Sequence, residues 1–160
     1  MMNVKQVLSK IEKLKLTTPK EFKAAHIPLV REGAGIFRVA MRVKGLPLVV
    51  KFPLASGKDM SFRGGKMHST VEVRKIKKLA RISWMRPHLP RVLYHDKKSG
   101  VLVMDWKKEF DTDVDAFRAL GRLTTKLIRK WKGVTVSDIH EDNVRQGRSK
   151  REVVLVDLGY

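Results

Sequence analysis

Near the start of the chain, apolar side chains return every three or four positions. Val4, Val7, Leu8, Ile11 and Leu14 recur between lysines, which predicts an amphipathic helix over 3–15. Thr18-Pro19-Lys20-Glu21 reads as a second helix start: Thr18 can cap, Pro19 suits the first turn and Glu21 can reach back. Pro28 resists helical geometry just before it, so that helix should end near His26. The period then changes from 3.6 to 2. Ile36–Val43 and Leu48–Phe52 flank Lys44-Gly45-Leu46-Pro47 as a hairpin. Residues 56–68 read as a basic loop containing Lys58, Arg63, Gly64, Gly65 and Lys66, followed by a helix over 69–81. That helix puts Val73, Ile76, Leu79 and Ala80 on one face and Arg74, Lys75, Lys77 and Lys78 on the other. Pro87 and Pro90 predict an extended connection. A second hairpin joins Arg91–His95 to Val101–Met104 around Asp96–Gly100. The longest helix is expected at 113–131, burying Val114, Phe117, Leu120, Thr124, Leu127 and Trp131. A last hairpin would join Val144–Gln146 to Val153–Val156 through 147–151. The order is that of an α+β protein, with no internal repeat and no low-complexity linker.

At 160 residues and 42% hydrophobic, the chain is one ordinary domain with material for a core, not a disordered basic tail. With no cysteine it has no disulfide framework and no Cys-containing zinc site, which fits a reducing, cytosolic compartment. No apolar run approaches the roughly 20 residues of a bilayer span, and no signal-peptide core follows Met1. A soluble, unprocessed chain is therefore expected. Charge changes the picture more. Lys and Arg number 35 against 16 Asp and Glu, a formal net charge of +19, with +13 in residues 1–80 and +6 in 81–160. Such an excess attracts anionic partners without naming them. Lys58, Arg63, Lys66, Arg74, Lys75, Lys77, Lys78 and Arg81 lie close in sequence and could engage nucleic acid or an acidic protein, or form a solvated face. None of the histidines (26, 68, 88, 95, 140) sits in a Ser-His-Asp or metal-pair setting. Trp84, Trp106 and Trp131 read as core or interface anchors.

Four features carry candidate chemistry. Gly33-Ala34-Gly35, between a strand at Ile27–Val30 and the Ile36 strand, could let backbone amides approach phosphate oxygens or simply supply positive φ in a turn. Lys51 ends the apolar strand Leu48-Val49-Val50; paired with a carboxylate such as Glu72 it becomes a fixed cation for phosphates, while Ser69-Thr70-Val71-Glu72 is equally a capping box. Asp138 and Asn143, five apart, could poise a hydroxyl and hold a metal. Val153–Val156 delivers Asp157 to a strand end before Gly159, where a carboxylate ligates Mg²⁺ or caps a turn.

In this order the four features resemble the protein-kinase-like superfamily, from about Ile27 to Tyr160. Gly33–Val39 resembles its glycine-rich loop, Val49-Val50-Lys51 the strand of its phosphate-binding lysine, and Glu72 the glutamate pairing with that lysine. His88–Val92 and Val101–Asp105 are similar to the strands leading to the adenine hinge, and Asp157-Leu158-Gly159 resembles the DFG turn. Asp138-Ile139-His140 is closest to the small-molecule branch typified by aminoglycoside phosphotransferases. The resemblance implies an antiparallel-sheet N-lobe with one helix at 27–105, a helical extension at 1–26 and a much reduced helical C-lobe at 106–160. It implies ATP and Mg²⁺ as cofactors. Gly33, Gly35, Lys51 and Met104 would hold nucleotide, Asn143 and Asp157 metal, and Asp138, Lys51 and Glu72 would be catalytic.

Departures accompany the match. The third loop glycine is missing and Arg38 arrives early, where it could touch a phosphate or obstruct the nucleotide. Val136-Ser137-Asp138 replaces His-Arg-Asp, and the sequence reaches Tyr160 without an activation segment. Three readings follow: a phosphotransferase acting on a protein or small-molecule hydroxyl; a catalytically weak pseudokinase that binds nucleic acid or an acidic protein through its basic face; and a building block of a viral particle, found in host cytoplasm or virion. Survival of the polar site residues favours the first.

Overall fold

The computed structural model describes residues 2–35, 37–54, 59–130, 143–147, 152–156 and 158, the side chains of 59–63 and 128 excepted. Its contacts divide it into two compact units, Met1–Thr70 with Arg91–Trp106, and Val71–Pro90 with Lys107–Tyr160.

In the first unit α1 (Val4–Leu14) and α2 (Pro19–Ala24) begin on capping boxes, Asn3 with Gln6 and Thr18 with Glu21. They satisfy amides that a helix start leaves unpaired. The strands β1 (Leu29–Ala34), β2 (Arg38–Val43), β3 (Leu48–Pro53), β4 (Val92–His95) and β5 (Leu102–Asp105) form one antiparallel sheet in the order β1-β2-β3-β5-β4. Gly45, at φ +77°, turns β2 into β3, and Gly100, also at +77°, turns β4 into β5. Period-2 alternation gives this sheet two chemically different faces. Val43, Leu48, Val50, Phe52, Val101 and Val103 pack with Val7, Ile11, Phe22 and Ile27 of the helical extension in one apolar cluster. Phe22 meets Phe52 edge to face at 5.1 Å.

The region read as a basic loop over 56–68 is helical from Asp59. Among the described residues α3 (Asp59–Leu79) is the longest helix, 21 residues against 18 for α4 (Asp113–Lys130). Gly64 and Gly65 act there as packing residues, not as breakers. A Cβ on Gly64 would lie 2.6 Å from Cδ1 of Phe37, and one on Gly65 would lie 2.8 Å from Cβ of Pro53 and also collide with the Phe37 carbonyl. The helix forms because tertiary contact with the sheet outweighs the roughly 1 kcal/mol propensity cost of each glycine. Ser69 is consequently mid-helix and buried, so Ser69–Glu72 is not a capping box. The glycine turn also differs from expectation. β1 runs on through Ala34, with a register shift between Arg31 and Gly33.

In the second unit the proline-rich stretch folds as a 3₁₀ helix, Ser83–His88, with Pro87 inside it, where an extended chain was expected. β6 (Val144–Gln146) and β7 (Val153–Leu155) form the expected hairpin, closed by Gly147 N–H donating to Glu152 O at 2.8 Å. The buried stripe of α4 is Ala116, Ala119, Leu123 and Leu127, whereas Val114 and Phe117 are each 55% exposed and Thr124 is exposed. α4 packs on β6 and β7, and both alanines are on its buried stripe. Of the expected stripe Leu127 is buried and Leu120 half-buried, while Trp131 lies outside the described residues.

Opposite outcomes are expected at two helical glycines. Gly65→Ala should cost about 1–3 kcal/mol through overpacking. Gly121→Ala in α4, where an added Cβ meets nothing within 4 Å, should stabilise by about 0.5–1 kcal/mol. Urea denaturation of the two variants checks both signs.

Candidate functional site

The sheet face turned away from the apolar cluster carries the candidate residues of the first unit. Gly33 pairs with Ala40, Ala40 with Lys51, Lys51 with Leu102 and Leu102 with His95, one row across all five strands. Directly opposed residues share a face, so Gly33 and Lys51 lie on the same side of the sheet. Met104, opposite Val49, lies on that side one row along. Lys51 is 7% exposed and Met104 1%. A lysine this deep is held in one place, unlike the solvated edge residue that a strand-end lysine usually is.

Neither Gly33 nor Gly35 adopts a positive φ, so turn geometry does not call for glycine at either. A Cβ on Gly33 would meet nothing within 4 Å, and one on Gly35 only the Arg38 carbonyl at 4.0 Å. What the glycines contribute is a hairpin end bare of side chains. The Gly35 N–H is engaged within the hairpin, donating to Arg38 O at 2.9 Å. Arg38 itself is buried and donates from Nη1 to Ser69 Oγ at 3.5 Å, tying β2 to α3. Trp106 meets the Arg42 guanidinium at 4.8 Å.

The remaining described candidates lie in the second unit. Glu72 is fully buried in α3. Asn143 sits at the start of β6, and its carbonyl accepts from Val156 N–H at 2.9 Å. The ladder continues through Val144–Leu155, so the backbone of Asn143 is fixed against the residue that precedes Asp157 in sequence. Asp138, His140 and Asp157 lie outside the described residues. Of the basic group, Arg74, Lys77, Lys78 and Arg81 are exposed, Lys66 and Lys75 are half-buried, and Arg63 falls within α3; Lys58 lies outside the described residues.

Sequence reasoning passed over a second cluster in this unit. His88 Nδ1 lies 2.8 Å from the Val153 carbonyl, and Lys126 Nζ lies 3.2 Å from Nε2. A carbonyl only accepts, so Nδ1 carries the proton and Nε2 accepts from the ammonium. Burial pushes the His88 pKa down. The Val153 hydrogen bond opposes this, the Lys126 charge reinforces it, and Glu152 opposes it weakly. Trp84 stands under Lys126 at 5.5 Å and Lys130 at 5.6 Å. The one signal available was the repeat of cations every four residues along Arg118, Arg122, Lys126 and Lys130.

No protein-family model matches the chain, and no curated protein sequence does. Among solved structures, the chain is similar to the Cydia pomonella granulovirus kinase PK-1, at TM-score 0.50 and 15% identity, over 92% of this chain and 58% of that one. A choline/ethanolamine kinase family protein from Mesorhizobium loti aligns at TM-score 0.49 and 13% identity, over 96% of this chain and 65% of that one. The chain thus spans less than two thirds of either. The first likeness, with the sheet order above, shows the fold: α+β and protein-kinase-like, with an antiparallel five-stranded sheet and helices. No helix among the described residues is long and apolar enough to cross a membrane.

His88 makes stability depend on pH. Its folded-state pKa lies below the unfolded value, so the folded chain binds fewer protons. The associated stability is fully present above about pH 6.5, the ordinary imidazole value, and declines as pH falls below it. Denaturation at about pH 7.5 and about pH 5.5 should show the wild type losing more stability than His88→Gln.

Proposed function

We propose that the chain is a phosphotransferase that uses ATP and Mg²⁺ to phosphorylate a protein or small-molecule hydroxyl. The observation that carries this reading is the row that sets buried Lys51 and side-chain-free Gly33 on the sheet face opposite the apolar core, with Met104 beside it. In this reading residues 27–105 hold the nucleotide, 106–160 carry the transfer chemistry, and 1–26 cover the sheet. The donor set fits both cofactors: an ammonium for phosphate oxygens, and an amide oxygen and a carboxylate for a hard divalent cation. Lys51 would hold the α- and β-phosphates with Glu72 orienting it, while Gly33 and Gly35 leave room for them and Met104 lines the adenine side. Asn143 and Asp157 would hold Mg²⁺, which neutralises phosphate charge when bound. Asp138 would accept the proton of the acceptor hydroxyl. The resemblance of Asp138-Ile139-His140 to the small-molecule kinase branch inclines the acceptor towards small molecules. Catalysis is then chiefly positioning, which suits groups held as firmly as Lys51.

Incubation with labelled ATP and a panel of hydroxyl acceptors tests this. Asp138→Ala and Asp157→Ala should each lower transfer about a hundredfold or more, and Lys51→Met should do the same. Equal labelling by wild type and all three variants would overturn the reading.

A second reading rests on the exposed stripe Arg74, Lys77, Lys78 and Arg81, which follows helical spacing away from buried Val73, Ile76 and Leu79. This stripe would dock nucleic acid or an acidic protein, with or without turnover. Binding to an oligonucleotide should then fall steeply between low and physiological salt, survive Asp157→Ala and weaken in a Lys77→Ala/Lys78→Ala variant. Salt-insensitive binding would count against it.

A further inference from the structure

The second unit contains a cavity of about 300 Å³ that the phosphotransfer reading does not use. Its walls include Ala119 and Leu123, and its polar groups are His88, Arg122, Lys126 and Glu152. It draws on α4, the 3₁₀ helix and the start of β7, all within one unit.

The cations here are arranged at a cost. Arg118, Arg122, Lys126 and Lys130 repeat every four residues, so each stands next to a like charge on the helix surface. Each such pair destabilises an isolated helix by about 0.2–0.5 kcal/mol. Neither Arg122 nor Lys126 has an ion-pair partner among the described residues. Lys126 is nevertheless held in place. It donates to His88 Nε2 and lies over Trp84, while Val153 fixes the imidazole from the other side. A cation oriented by neutral partners keeps its full charge for a ligand, whereas one paired to a carboxylate does not. The fork of exposed Arg122, one turn away, suits two oxygens of the same anion.

We infer that this cavity is a binding site for a phosphomonoester, its phosphate taken by Arg122 and Lys126 and its organic part by Ala119 and Leu123. The volume exceeds that of a bare inorganic anion, and the apolar walls would give an organic substituent a dry contact. Glu152 stands on the same cavity as an opposing charge and limits affinity. The ester has two sources, a free metabolite or a phosphorylated side chain on a peptide, and the chemistry they share is the one recognised.

Calorimetric titration of the full chain with phenyl phosphate, and separately with a short phosphoserine peptide, tests the inference. Saturable binding of either probe is expected. The peptide alone would identify a phosphorylated chain as ligand, phenyl phosphate alone a free ester, and both the shared headgroup. Arg122→Ala and Lys126→Gln should each weaken binding about tenfold or more, and Glu152→Gln should tighten it severalfold. Arg122 is exposed, so its variant remains informative even if changes at Lys126 disturb folding. Lys51→Met should abolish phosphotransfer and leave this binding intact. Unchanged affinity in Arg122→Ala, absence of binding at millimolar probe, or loss of binding in Lys51→Met would each overturn the site.

Discussion

The alternation of β3 is the constraint from which the rest of the first unit follows. Leu48, Val50 and Phe52 point to the apolar cluster, and Val49 and Lys51 point the other way. A slip of one residue in the pairing would drive the Lys51 ammonium into a layer of Phe22, Val7 and Ile11, where an unpaired charge costs many kcal/mol. The register is therefore set by hydrophobic burial on one face, and the position of the cation on the other face comes with it. The helical extension is the second half of this device. Without α1 and α2 packed on that layer, the sheet would expose apolar residues on both strands of its central hairpin, and nothing would penalise the slipped register.

Elements whose pattern involves one face and one period were legible in the chain. The two hairpins of the five-stranded sheet, the capping box at Thr18, and the strand pair at Val144–Leu155 all depend on local alternation and local turn chemistry. Helix α3 was not legible over its first two turns, because glycine carries opposite meanings in a loop and in a helix pressed onto another backbone. Only the neighbours Phe37 and Pro53, 27 and 12 residues away from Gly64 and Gly65, decide between them. The same logic governs α4. Its larger residues Val114 and Phe117 suggested one stripe, whereas the buried one takes Ala116 and Ala119 together with Leu123 and Leu127.

Candidate chemistry divides in a similar way. Lys51 and Asn143 are identifiable through the order of motifs along the chain, Lys51 inside the patterned strand β3 and Asn143 directly before β6. The burial of Glu72 could not be read, since the same residue would sit on the surface if the helix began at Ser69. His88 comes from one stretch and Arg122 and Lys126 from another, with no motif joining the two. Their association depends on the 3₁₀ helix that replaces an extended chain at Pro87, a local outcome for which two prolines give no clear rule.

A net charge of +19 makes any one lysine a poor pointer to function, since most of these ammonium groups lie in water and are screened within about 8 Å at physiological salt. What separates Lys51 and Lys126 from the others is immobilisation. Lys51 is fixed by the depth of the sheet row that carries it. Lys126 is fixed by an imidazole locked to a strand carbonyl and by an indole face. A fixed cation gives up little conformational entropy when an anion arrives, whereas an extended surface lysine gives up about 2 kcal/mol of side-chain freedom. The overall field would raise the rate of encounter with anions at every surface, and selectivity among them would rest on these few held groups.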